Sequence, residues 1–256
     1  LIGVMVKIVM FLIPDGKKTE SDPFETLYLD ENVKNQPAAA LQLVAKEILH
    51  LSEQVKKVLH DTVTVVKENQ MQGVDKIQEE SAKVTKLTDK ITDYLAGLFS
   101  SGLLTEQQAS QTAGLMYVLG DVERISNLSA GIALSMKEKE TNQYKYSQEA
   151  MDELAKCLKT LEKMFDSATK ALRGDTTVEL EKLMKRKDKI VNLDIMMRKS
   201  HIQRVNKGKC KASLTTPFTN ILHLIDRMGN SCINLADAAT NEVALKYFLP
   251  KDEMTM

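Results

Sequence analysis

Glu123 and Asn127 lie four residues apart in "DVERISNLSAGIAL", the stretch from Asp121 to Leu134. The pattern returns 103 residues later in "LIDRMGNSCINLAD", Leu224 to Asp237, as Asp226 and Asn230. On a helix a spacing of four puts both side chains on one face. A carboxylate and an amide so placed could form a surface ligand site. The competing reading is a solvated helix face on which the acid simply neighbours Arg124 or Arg227. Packing alone does not demand a repeated outward phrase, so the recurrence favours a site.

Other chemistry is sparse. There is no P-loop, dinucleotide glycine pattern, HExxH or nucleophile elbow. His50, His60, His201 and His223 fall in different helical segments. Ser129 and Cys232 sit on apolar seams, where they fill tight spots and have no activating base. The three cysteines, Cys157, Cys210 and Cys232, are widely spaced, which suits free thiols in a reducing compartment. No enzyme activity and no cofactor are expected.

The segments that must position the repeated phrase are read from periodicity. Leu41, Val44, Ile48, Leu51, Val55, Val58, Thr62 and Val65 step by threes and fours, which predicts a helix from Pro37 to about Glu68. Val74, Ile77, Ser81, Val84, Thr88, Ile91, Leu95 and Leu98 predict a second, closed by Gly102. "TEQQ", Thr105 to Gln108, is a capping box that starts a third, with its seam at Leu115, Val118, Val122, Ile125, Ser129 and Ile132. Adding 103 to that seam gives Phe218, Ile221, Ile225, Met228, Cys232 and Leu235 of a sixth helix. The same shift takes Leu51, Val55 and Val58 to Leu154, Leu158 and Leu161 of a fourth. The fifth helix, from a capping box at Thr176–Glu179 to about Lys207, is untidy, with Lys187, Asp194 and His201 among Leu183, Ile190 and Met197. Thr215 and Thr216 are the cap candidates for the sixth, with Pro217 in its first turn. The expected fold is all-α, a tandem duplication of a long three-helix bundle. Its boundaries are 37–138 and 139–245, with a tail at 246–256.

Thirty-five Lys and Arg balance 35 Asp and Glu, which argues against a nucleic-acid partner. Few Gly and Pro and no Trp suit long helices. The chain opens "LIGVMVKIVMFLIPDGKK", apolar from Leu1 to Ile13 apart from Gly3 and Lys7. That is shorter than a membrane span of about 20 residues. It is read as the end of a transmembrane helix over 1–16 or as a short buried helix; it lacks the marks of a signal peptide. A linker follows at 17–36, with Lys17 and Lys18 favouring the cytoplasmic side.

"DVERISNLS" and "LIDRMGNSCINLAD" resemble the signature of PhoU-like domains. Its positions here are Asp121, Glu123, Arg124, Asn127, Asp226, Arg227 and Asn230. "LDENVKNQPAAALQLVAKEILHLSEQVKKVL", and "RKSHIQRV" followed by "GKC", resemble the PhoU-like C-terminal domain of bacterial sodium/phosphate cotransporters. The resemblance implies a regulatory domain on the cytoplasmic side of the cell (inner) membrane, acting in phosphate transport. It implies the transporter's own membrane domain as partner, with a homodimer as a further association. The alternative is a free-standing PhoU-like adaptor that binds a transporter or kinase. Metal-binding members of the family carry acid-x-x-x-Asp motifs. Here Asn replaces that Asp twice, and the second and fifth helices offer Ser81 and Thr85, then Lys187 and Val191. Another register offers Asp89 with Asp93 and Asp188 with Asn192. The substitutions imply that a stable metal cluster has been lost, and that any divalent ion at Glu123, Asn127, Asp226 or Asn230 would be held loosely, by half the charge of a two-carboxylate motif.

Overall fold

The computed structural model describes residues 23–141, 146–174, 176–241 and 243–249. The opening hydrophobic segment, 1–16, and the last residues of the tail lie outside the described residues. Six long helices carry the fold: α1 (Pro37–Glu68), α2 (Val74–Ser100), α3 (Glu106–Thr141), α4 (Gln148–Arg173), α5 (Thr176–Asn206) and α6 (Thr215–Thr240). Short 3₁₀ turns at Glu31–Val33, Met71–Gly73, Ala212–Leu214 and Leu245–Tyr247 complete the order, and no strand occurs among the described residues. None of these helices is long and apolar enough to cross a membrane.

The helices begin and end for local reasons. Pro37 opens α1 at a position where its missing N–H costs nothing. Asn69 closes α1 in the left-handed region, φ 54°. The capping box forms before α3: Thr105 Oγ1 accepts from Gln108 N at 3.2 Å, and Gln108 Oε1 accepts from Thr105 N at 3.0 Å. Ser147 caps α4 through Ala150 N. Gly102 (φ 69°) and Gly208 (φ 69°) turn the chain after α2 and α5 in backbone that side chains avoid. At α6 the expectation fails. A 3₁₀ turn runs straight into Thr215, so Leu214 takes the cap position and neither Thr215 nor Thr216 caps the helix.

Every residue of the α1, α2, α3, α4 and α6 seams is buried, and their apolar members join one contiguous core. α1, α3, α6 and α4 close a ring in which each packs on the next. α2 lies against α1 and α3; α5 lies against α4 and α6. The two trios are thus one body. Their α1–α4 seam is tied by Lys56 to Asp166 at 2.6 Å, His60 to Glu162 at 2.7 Å and Arg173 to Glu53 at 3.2 Å. Across α3–α6, Asn234 Nδ2 donates to Asp121 at 3.1 Å.

The segment ahead of α1 is docked. Phe24 is buried, and the fully buried Glu47 carboxylate accepts from Leu27 N at 3.0 Å and Tyr28 N at 2.7 Å. His50 Nδ1 lies 2.9 Å from the same group, and Tyr94 Oη donates to Asp30 O at 2.9 Å. The stretch expected as a linker therefore holds fixed geometry from Phe24 onward.

Candidate functional site

Glu123 and Asn127 lie off the buried seam, as their spacing predicts; Glu123 is half-buried and Asn127 exposed. They turn along the edge between α3 and α2. Thr85 Oγ1 donates to Glu123 Oε1 at 2.8 Å, and Asn127 Nδ2 donates to the same oxygen at 3.2 Å. Ser81 Oγ donates to Asn127 Oδ1 at 3.1 Å and receives from Ser126 Oγ at 3.1 Å. Four neutral side chains and one carboxylate thereby stitch two helices together. These are the α2 residues that the first alignment placed opposite the motif. Asp89 and Asp93, from the other register, are exposed and outside this network.

The second copy differs. Asp226 and Asn230 are exposed. Lys187 is half-buried and Val191 is exposed on α5, so that helix offers a cation and an apolar group instead of two hydroxyls. The rest of the signature has other uses: Asp121 reaches α6 through Asn234, while Arg124 and Arg227 are exposed. Among the described residues no three His, Cys, Asp or Glu side chains converge as a metal centre needs. The hydroxyls of Ser81 and Thr85 are engaged with Asn127 and Glu123.

The chain belongs to the PhoU domain family. Its family model, described as the PhoU domain, matches twice, over residues 48–136 and 154–239. Each match takes in one repeated phrase. No curated protein matches the chain. The crystal structure of PhoU from Pseudomonas aeruginosa superposes with a TM-score of 0.68 at 13% identity, covering 82% of this chain and 97% of that one. At that identity the likeness is one of fold, and it agrees with the six-helix PhoU arrangement.

Three arrangements in this PhoU domain escape the motif reading. Glu47 is the first. It sits three residues after Val44 and four before Leu51, so a charged residue lay on the buried stripe in plain sight. The second is a groove of about 310 Å³ between α4 and α5, lined by Lys156, Lys159, Thr160, Lys163, Arg186 and Lys189. Its lysines are exposed, and Arg186 Nη1 is held by Lys163 O at 2.8 Å and by Ser167 Oγ. It has charge but no fixed cradle.

The third surrounds His201, which is buried and stacked on Phe218 with ring centres 4.8 Å apart. Its Nε2 meets Thr215 Oγ1 at 3.1 Å, and its Nδ1 lies 3.9 Å from Cys210 Sγ. Arg204, buried nearby, pairs with Glu153 at 3.1 Å. Burial, and then the Arg204 charge, hold the His201 pKa below the usual imidazole value, against the smaller pull of Glu153. A depressed folded pKa means that the unfolded chain takes up its proton first. The His201 contribution is therefore full above about pH 6.5, the ordinary imidazole value. It declines as pH falls through the interval between that value and the lower folded pKa. Denaturant midpoints measured across that interval should fall with pH in the native chain and fall less in His201→Gln.

Proposed function

We propose that this chain is a non-catalytic regulatory module of phosphate transport, and specifically the cytoplasmic PhoU-like domain of a sodium-dependent phosphate symporter. Membership of the PhoU family supports the regulatory part. The transporter-linked part is supported by the apolar opening at Leu1–Ile13, the basic pair Lys17–Lys18 and the likeness of the Leu29–Leu59 stretch to cotransporter domains. The observation that carries the reading is the docking of residues 24–30 through buried Glu47. A stiff joint there would pass a movement of the bundle to whatever the chain is attached to ahead of it, whereas a slack linker would absorb it. The membrane domain is the proposed partner, and the inner membrane's cytoplasmic face the proposed location. A free-standing adaptor is the second reading, favoured by the near-complete cover of the solved PhoU chain.

The reading frame upstream of Leu1 separates the two: eight or more hydrophobic spans favour the symporter, and a start codon within a few residues favours the adaptor. In the symporter, deleting 37–256 should change the regulation of phosphate uptake and leave substrate choice intact. Loss of phosphate selectivity would count against the proposal.

Metal is proposed to be weak and reversible here. Glu123 already receives two donors, and each site offers one carboxylate beside one amide. After dialysis we expect far less than one iron or zinc per chain by elemental analysis. A stoichiometric, chelator-resistant metal would overturn this.

A further inference from the structure

The groove between α4 and α5 gathers cations from both helices. Lys156, Lys159 and Lys163 step by three and four along α4, which puts them on one face. Arg186 and Lys189, three apart on α5, line the same space of about 310 Å³, and the buried Thr160 completes it. No acid lines the groove. Glu162 and Asp166, beside these lysines in α4, turn instead to α1, where they meet His60 at 2.7 Å and Lys56 at 2.6 Å. The chain carries as many acids as bases, yet among the described residues Lys156, Lys159, Lys163 and Lys189 have no ion pair.

The corresponding flank of the first repeat is neutralised. There Lys57 and Lys76 close on the buried Glu80 at 3.2 and 3.7 Å, and Lys83 pairs with Glu79 at 3.0 Å. The shift of 103 takes Lys57 to Thr160. The shift that takes Ser81 to Lys187 and Thr85 to Val191 takes Lys83 to Lys189, and it takes Glu79 and Glu80 to Lys185 and Arg186. Both acids have thus become cations. Like charges three or four apart on a helix repel, so this groove costs stability unless an anion offsets it.

The lining also says which anion. Arg186 is the fixed point: its Nη1 donates to Lys163 O at 2.8 Å and to Ser167 Oγ, which leaves Nε and Nη2 for a ligand. Exposed lysines around one held guanidinium do not shape a pocket for a single phosphate. They suit a longer anion, since Lys156 and Lys163 stand roughly 10 Å apart along α4. No aromatic or aliphatic side chain lines the groove, so nothing there grips a base or a lipid tail.

We propose that the α4–α5 groove binds a chain of linked phosphate groups, such as tripolyphosphate, and holds it through the phosphates alone. The site lies within the second repeat and needs no transporter attached. Isothermal titration calorimetry of the whole chain, in metal-free buffer of low ionic strength, should show saturable binding of sodium tripolyphosphate. Orthophosphate, with fewer charges to share among the five cations, should bind about tenfold more weakly or worse. ATP carries three linked phosphates on a nucleoside and should bind no tighter than tripolyphosphate. Lys159→Glu and Lys189→Glu alter exposed side chains, so far-UV circular dichroism should be unchanged while each weakens tripolyphosphate by about tenfold or more. Lys90→Glu makes the same change of net charge on the exposed face of α2, and screening should keep its effect within about twofold. Equal losses in Lys90→Glu and Lys159→Glu would mean diffuse attraction without a site. ATP bound about tenfold tighter than tripolyphosphate would mean a base contact that this groove does not offer. Phosphatidylglycerol vesicles that bind the chain when tripolyphosphate does not would make the cations a membrane contact. Any of these three results, or no binding of tripolyphosphate, overturns the proposal.

Discussion

Glu47→Ala should lower the unfolding free energy by about 3 kcal/mol, the scale of losing hydrogen bonds to a buried charged acceptor. The carboxylate is fully buried and receives the backbone N–H groups of Leu27 and Tyr28. Truncation leaves those donors without an acceptor unless the segment lifts away. It also strands His50, whose Nδ1 lies against the same oxygens. Lifting exposes Phe24 and opens the chain ahead of Pro37 to protease. Urea denaturation would read the stability and limited proteolysis the release. Glu47→Gln keeps one acceptor oxygen and should fall between the two. A loss under 1 kcal/mol with unchanged cleavage would mean that the segment is held by something other than this carboxylate.

Gly114→Ala should cost about 2 kcal/mol, within the range for forcing atoms into filled space. A Cβ added at Gly114 on α3 would lie 2.0 Å from Val243 Cγ1 and 2.9 Å from Val243 Cβ. Valine is stiff about its first torsion, so it cannot swing aside cheaply. Relief must come from moving the strap after α6, where Ala244, Leu245 and Leu249 are buried. The double variant Gly114→Ala/Val243→Ala removes the colliding methyl groups and should recover much of the loss. Thermal unfolding of the four chains in the cycle gives the coupling directly. Simple addition of the two single effects would mean that the strap does not feel Gly114.

Most of the fold was legible because helices of this length advertise their buried face every three or four residues. The α1 seam from Leu41 to Val65 needed no tertiary knowledge, and the Thr105–Gln108 box is a purely local device. The caps at Thr215 and Thr216 were misread because a 3₁₀ turn and an α-helix share the same start signals. Setting Ser81 and Thr85 beside Glu123 and Asn127 was readable only through the resemblance to PhoU-like domains. That the four would be hydrogen-bonded, with Ser126 drawn in, was not, since side-chain pairing depends on how closely α2 approaches α3. Glu47 was overlooked because a lone acid in a helix is ordinarily solvated; only the returning backbone of Leu27 and Tyr28 explains it. The α5 stripe blurred because Lys187, Asp194 and His201 alternate with Leu183, Ile190 and Met197 along it.

The ring of α1, α3, α6 and α4 sets a schedule as well as a shape. α1, α2 and α3 are complete once the chain reaches residue 141, but α3's neighbour in the ring, α6, ends at residue 240. At ribosomal speeds of about 5–20 residues per second, that gap lasts roughly 5–20 s. Through it the nascent first trio holds open the faces of α1 and α3 that α4 and α6 will cover. A ribosome that stalls in the first half of α4, before Glu162, therefore leaves a half-walled bundle, with Glu53, Lys56 and His60 still waiting for partners that have not been made.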